Sequence, residues 1–252
     1  MEKRILLNDF AIRSFRDVAD YDYIAARMAY RAQLFPQFLW SGLQAVEKYL
    51  KCILLLNRIR AKDIRHELAA ALHLIDKHAP FKVHLRESSR TLIDHLDTYG
   101  RFRYLETPFY VKGLELAQLD YAVWDIRRYC KVLDYELRTD NGKPIQMLEM
   151  ELKAIEESEK RPPQQFQILD GTIEKIIKDK KHPARCGLIW HNLCFGVARR
   201  KKVYMRRIMH STNSPLYLHP EILEDVLEYI FLPKDVIAAY RAELTNKSNR
   251  PP

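Results

Sequence analysis

Glycine is scarce in this chain, at 7 of 252 residues, and so are the turn-rich stretches that an all-β protein would need. Long apolar runs are also missing. The aliphatic run at 52–56 is far short of the roughly 20 residues that a membrane-spanning helix requires. The first 15 residues carry charges every few positions and lack the apolar core of a signal peptide, so a cytoplasmic location without membrane contact is expected. With only 4 cysteines and no export signal, reduced thiols are expected rather than disulfides, with Cys52 and Cys130 in helical apolar patterns as core residues.

What is present is an ordinary globular balance, 47% hydrophobic and 30% charged, and a net charge of +9. The charge is unevenly placed. Residues 1–140 hold 23 Lys/Arg and 19 Asp/Glu, whereas residues 171–214 hold 11 Lys/Arg and 2 Asp/Glu. One short segment thus carries an excess as large as that of the whole chain, which fits a polyanionic partner whose phosphates release counterions on contact. The competing reading is a solvated face that pairs with acidic neighbours.

Apolar periodicity predicts helices over residues 21–35, with Asp20 as N-cap, and over 38–57, where Leu39, Leu43, Val46, Leu50, Ile53 and Leu54 form one stripe. Further helices are expected over 63–78, 84–99 and 114–138, with a loop containing Pro108 and Gly113 before the last. Asp140, Asn141, Gly142, Lys143 and Pro144 form a turn cluster, an acidic helix follows over 145–159, and 161–165 read as a linker. Beyond it, helices are expected over 166–178 and 185–209, and from Pro220 and Pro233 to residues 230 and 244, with a disordered tail over 245–252. The organisation is therefore all-α: a helical bundle over 1–140, an acidic helix and Pro-rich linker over 141–165, and a smaller basic helical domain over 166–252.

The stretch Gln44-Ala45-Val46-Glu47-Lys48-Tyr49-Leu50-Lys51 on the second of these helices is similar to the Gln-Ala-x-Glu-Lys-x-Leu-Lys core of HEPN domains. Residues 20–27 resemble the first helix of that family, His66-Glu67-Leu68 its His-x-Leu start of the third, and Arg103-Tyr104 an Arg-Tyr pair before its last. The resemblance covers roughly residues 15–138. It implies a helical bundle in an RNA- or nucleotide-related setting, such as prokaryotic stress, defence or toxin-antitoxin systems, and homodimer formation or a partner protein. Taken singly, Glu47, Lys48 and Lys51 could be no more than a solvated face, and His66 no more than a packing or capping residue.

Catalytic members of the family cleave RNA without metal, using Arg, four to six residues, then His. The histidine moves the 2′-hydroxyl proton and the arginine stabilises the phosphorane charge. At the expected place the chain offers Arg101 and Arg103 and no histidine. Arg90 with His95, and Arg60 with His66, match the spacing elsewhere. Five positions on a helix, however, set two side chains well over a quarter-turn apart. No catalytic residue is therefore assigned.

In the C-terminal part, Arg199, Arg200, Lys201, Lys202, Arg206 and Arg207 on an expected helix, with Tyr204 available for stacking, are the candidate nucleic-acid contacts, joined by Arg101 and Arg103. Pairing of these cations with the acidic stretch 149–159 is the alternative. His182, Cys186, His191 and Cys194 could in principle form a tetrahedral set, but with Leu188, Ile189, Trp190, Leu193 and Phe195 they read as a buried apolar helix. Neither a metal nor a cofactor is expected. The functional expectation is a non-catalytic nucleic-acid- or nucleotide-associated binding module, with a metal-independent ribonuclease dimer or a protein-interaction and dimerisation module as alternatives.

Overall fold

The computed structural model describes residues 3–62, 64, 66–101, 105–138, 144–160, 170–196, 202–205 and 208–248. The fold is all-α, with two small two-stranded sheets among the described residues. The chain divides into two compact units, one of Met1–Arg101 with Leu114–Arg206, the other of Phe102–Gly113 with Arg207–Pro252. The division does not follow the expected linker at 161–165, residues that lie outside the described ones. The cause is the segment after it, which is tied into the first unit by the Arg127–Glu174 ion pair and by hydrogen bonds from Arg27 and Asn192.

In the first unit, α1 (Lys3–Ala11) runs through one π-helical turn (Ile12–Arg16) into α2 (Asp17–Arg31). After a tight turn in which Gln33 adopts φ 60, α3 (Phe35–Leu56) folds back along α2 with Pro36 in its first turn. The expected stripe of α3 is the centre of the core: Leu39, Leu43, Val46, Leu50, Ile53 and Leu54 are all buried. Gly42 lets Leu96 and Leu119 approach the helix, where a Cβ would stand 3.3 Å from the Leu96 Cδ2. Leu96 belongs to α5 (Glu87–Tyr99), Leu119 to α6 (Glu115–Arg127), and α4 (Leu68–His78) lies beside them. Helix α4 has no capping side chain of its own. Asp97 on α5 serves instead, accepting the Leu68 and Ala69 amides at 3.0 and 3.3 Å.

Helix α6 ends at Arg127, well before the expected residue 138. Its chain turns and then forms β2 (Glu136–Arg138), antiparallel to β3 (Pro144–Gln146). The two strands flank the Asn141-Gly142 pair of the turn cluster, a strong hairpin signal; residues 139–143 themselves lie outside the described ones. Helix α7 (Met147–Glu159) follows, and then α8 (Thr172–Lys178) and α9 (Arg185–Ile189).

The long helix expected over 185–209 stops after Ile189. His191 has φ 50, and the Asn192 side chain accepts the Cys194 and Phe195 amides at 2.9 and 2.8 Å, which replaces helical bonds with a local turn. Residues 202–205 are not helical either.

The second unit pairs β1 (Phe109–Lys112) with β4 (Met209–Thr212), so the expected loop around Pro108 contributes a strand. Helix α10 (Pro215–Leu218), a 3-10 turn (Pro220–Ile222), α11 (Leu223–Tyr229) and α12 (Lys234–Ser248) complete it. Its core is Leu216, Leu223, Leu232, Val236 and Tyr240. The Glu106 carbonyl accepts from the Ser214 and Tyr240 hydroxyls at 3.0 and 2.6 Å, joining the two segments of chain. Helix α12 extends four residues past the expected end at 244 into the stretch read as a disordered tail.

Candidate functional site

Two polar constellations lie in the first unit, one buried and one at the surface. The buried one begins on α2. Asp20 is inside the helix, fully buried, and is not the N-cap expected from sequence. It accepts two bonds from the Arg127 guanidinium, at 2.7 and 2.8 Å, the Tyr49 hydroxyl at 2.6 Å and the Ile173 amide at 3.2 Å. The other side of the same guanidinium grips Glu174 of α8 at 2.6 and 2.7 Å. Burial opposes the charge on Arg127, but Asp20 and Glu174 more than offset it and hold the guanidinium firmly protonated. Gly171 makes this packing fit, because a Cβ there would stand 2.7 Å from the Arg127 Nη2.

Two turns along α2, buried Arg27 pairs with Asp120 of α6 and donates to the Trp190 carbonyl and, at 3.3 Å, to the Gly187 carbonyl. The Tyr23 hydroxyl donates to Asp120 at 2.6 Å and accepts from the Asn192 amide at 2.8 Å. Here burial is the largest influence on Asp120 and raises its carboxyl, against the lowering effect of Arg27. Among the described residues its Oδ2 has no hydrogen-bond partner, nor has the Trp124 Nε1 one turn further on. A third cluster centres on Asp125, which pairs with Arg86 and accepts from the Arg86 amide and the Ser89 hydroxyl at 3.0 and 2.8 Å. The first two of these networks clamp the segment 171–192 onto the bundle, and the third ties α5 to α6 within it. Their residues bind one another, and the chemistry they support is structural.

The surface constellation is on α3 and the chain entering α4. Glu47, nearly buried, pairs with Lys51 one turn on and with the His66 Nδ1 at 2.7 Å, while Lys48 pairs with Asp22 of α2. The His66 ring lies 6.0 Å from Trp40, and its side chain is 48% exposed. A carboxylate on Nδ1 fixes the ring and its tautomer, leaving Nε2 as the nitrogen that can meet a ligand. No known family model, curated protein or solved structure matches this chain. Its site must be judged from its own residues.

The candidate nuclease pairs are not brought together as pairs. Arg90 is exposed, whereas His95 on the same helix turns inward, its Nε2 3.4 Å from the Glu115 Oε2 and its ring 4.8 Å from that of Tyr99. His66 is engaged with Glu47, and Arg60 is exposed.

Of the candidate nucleic-acid contacts, Arg101 and Lys202 are both exposed, and the Lys202 ammonium sits 5.4 Å from the ring of Tyr204, itself 76% exposed. Arg103, Arg199, Arg200, Lys201, Arg206 and Arg207 lie outside the described residues. Exposed Lys175, Lys178, Lys180 and Lys181 add to the basic surface of the same segment. Of the α7 carboxylates, Glu159 pairs with Arg128 at 2.6 Å, Glu157 with Lys160 at 2.8 Å, and Glu151 accepts the Leu133 amide at 3.1 Å.

The residues expected as a metal-free core group are spread out. Cys194 is buried, but Cys186 is exposed beside Arg31, against the reading of both as core. The His182 Nδ1 accepts the Ala184 amide at 3.2 Å. Among the described residues no group of three His, Cys, Asp or Glu could hold a metal, and no helix is long and apolar enough to cross a membrane.

The buried networks are what sequence reasoning missed. Asp20, Tyr23, Arg27 and Tyr30 recur on one helical face, a signal that periodicity could have found had charged residues been admitted to the inward stripe.

Proposed function

We propose that this protein is a HEPN-like, nucleic-acid-associated binding module of prokaryotic stress or defence, with its polyanion contact on the segment 171–207. The observation that carries this reading is the pairing of exposure with anchorage. Lys175, Lys178, Lys180, Lys181, Lys202 and Tyr204 present cations and an aromatic ring to solvent, on a segment whose start is fixed to the bundle through Arg127 and Arg27. Lys175, Lys178, Lys180 and Lys181, held beside that anchor, neutralise phosphates without first ordering a loop, which lowers the entropic cost of binding. The four landmarks from Asp20 to Tyr104 supply the RNA-related setting.

Binding of a short labelled single-stranded RNA, followed by fluorescence anisotropy between about 50 and 200 mM salt, tests it. The affinity should fall steeply with salt. Replacing Arg199, Arg200, Lys201, Lys202, Arg206 and Arg207 by alanine should flatten that dependence by about 0.7 in log–log slope for each phosphate that is no longer neutralised. Affinity that ignores salt, or that is left unchanged when Lys175, Lys178, Lys180 and Lys181 are replaced together with these six, refutes the assignment.

A further inference from the structure

Between residues 208 and 233 the chain holds four Asp/Glu and neither Lys nor Arg, in a protein whose net charge is +9. The same stretch leaves its largest side chains in water: Tyr229 and Phe231 are each 83% exposed, Ile230 53% and Ile222 38%. The way α11 meets its own core explains both features. Leu223 is buried and Leu227, four residues on, packs against the core of the second unit, so these two mark the inward line of the helix. At about 100° per residue, Ile222, Val226, Tyr229 and Ile230 fall together on one flank of that line, and Glu221, Glu224, Asp225 and Glu228 fall on the other flank and outward. The last turn is closed by the Ile230 amide on the Val226 carbonyl at 3.0 Å, and Phe231 follows directly. Helix α11 thus carries an apolar arc wider than its own fold covers, bordered along its length by carboxylates. Two of these are engaged, Glu224 with Arg241 of α12 at 2.8 Å and Glu221 with the His219 Nδ1 at 3.1 Å. Asp225 and Glu228 are exposed and make no ion pair among the described residues.

We propose that this arc is a docking surface for a basic amphipathic helix of another protein, laid along α11 with its aliphatic side chains over Val226, Tyr229 and Ile230 and its Lys or Arg beside Asp225 and Glu228. The proposal is independent of nucleic-acid binding, and the surface lies beyond residue 207, outside the stretch that carries the family resemblance. Charge selects the occupant. Carboxylates along the edge repel phosphates, which disfavours a nucleic acid or an anionic bilayer, and a second copy presenting the same arc would set like charges against one another. A cationic helix satisfies both halves: its apolar face covers the stripe, and its flanks neutralise Asp225 and Glu228.

Size agrees with an interaction surface. With about 150–250 Å² for an aromatic side chain, Tyr229 and Phe231 alone leave on the order of 300 Å² in water, and apolar surface of a few hundred Å² with a polar rim marks a site of contact.

Fluorescence anisotropy on the full chain tests this with a labelled peptide of about 18 residues, leucine at three- and four-residue spacing and lysine elsewhere, beside a twin with glutamate in place of lysine. The lysine peptide should bind with micromolar Kd despite the +9 charge of the protein. Tyr229→Ser/Phe231→Ser and, separately, Asp225→Lys/Glu228→Lys should each weaken it about tenfold or more, with unchanged far-UV circular dichroism, since none of the four side chains belongs to the core. The glutamate peptide should bind neither double variant more weakly than the wild type. A lysine peptide that does not bind, binding that either double variant leaves unchanged, or a glutamate peptide equally dependent on Tyr229 and Phe231 would overturn the proposal. So would self-association of the chain, or binding to neutral phosphatidylcholine vesicles, that Tyr229→Ser/Phe231→Ser abolishes, since either would give the arc to another occupant.

Discussion

Helices α2 and α3 lie side by side and are built on opposite rules. Helix α3 turns its aliphatic stripe inward and leaves Lys48 and Lys51 partly exposed, with Glu47 nearly buried between Lys51 and His66. Helix α2 buries Asp20 and Arg27 and shows Val18, Tyr21 and Met28 to solvent. Burying a charge is costly unless it is paired and hydrogen-bonded, so α2 holds its place only because α6, α8 and the 187–192 turn bring partners to it. An apolar stripe needs only apolar neighbours. A charged stripe needs particular ones, which makes the polar side of α2 the feature that fixes how the segment beyond residue 170 docks.

The sharpest way to break the contrast is to remove one partner from each helix interface. Arg127→Met leaves Asp20 and Glu174 buried beside each other without a cation and should cost about 3–5 kcal/mol in denaturant unfolding. Replacing the three together by apolar residues of similar volume should recover much of that loss, which would show that the penalty arises from the unpaired charges. On the apolar side, Leu43→Ala at the centre of α3 should cost about 2–5 kcal/mol, set by how far the neighbours collapse into the space. An Arg127 variant milder than the Leu43 variant would mean that α2 is held by packing after all.

Alkaline pH gives a smaller effect confined to the polar layer. Burial, with a contribution from Glu115, pushes the Tyr30 phenol up to about 12, and burial raises Tyr23 and Tyr49 well above 10. Between pH 10 and 12 the folded chain therefore keeps phenolic protons that the unfolded chain has lost. The folded state binds more protons in that window, and stability must fall as pH rises through it. For Tyr30 alone the loss should be about 1–2 kcal/mol after allowing for its partial access to water. Tyrosinate absorbance should then rise cooperatively with unfolding, and a gradual rise in the intact fold would show the layer to be wetter than its geometry implies.

The sequence was most legible where burial is apolar. The stripe of α3, the placing of Cys52 and Cys130 in the core and the starts near Pro220 and Pro233 follow from period and turn chemistry. It was least legible where a side chain from elsewhere decides the local structure. Asp97 caps a helix 29 residues away in sequence, and Asp20 looks like a cap until Arg127 and Tyr49 are seen around it. The helix expected over 185–209 stops early because Asn192 satisfies nearby amides itself, and the exposure of Val18, Tyr21 and Met28 on α2 could not be read from spacing, which records a stripe without recording which side faces inward.

By itself the sequence determined an all-α chain, its main helices, and the concentration of positive charge after residue 170. Those are local properties, set by spacing, turn residues and composition. Only the tertiary structure decided that this basic segment begins clamped to the bundle, that the region around 109–112 and the C-terminal segment form a separate unit, and that α2 carries its charges inside. Each of these depends on pairs far apart in the chain, such as Arg127 with Glu174 or Phe109 with Thr212, whose energies exist only once the fold has brought them into contact.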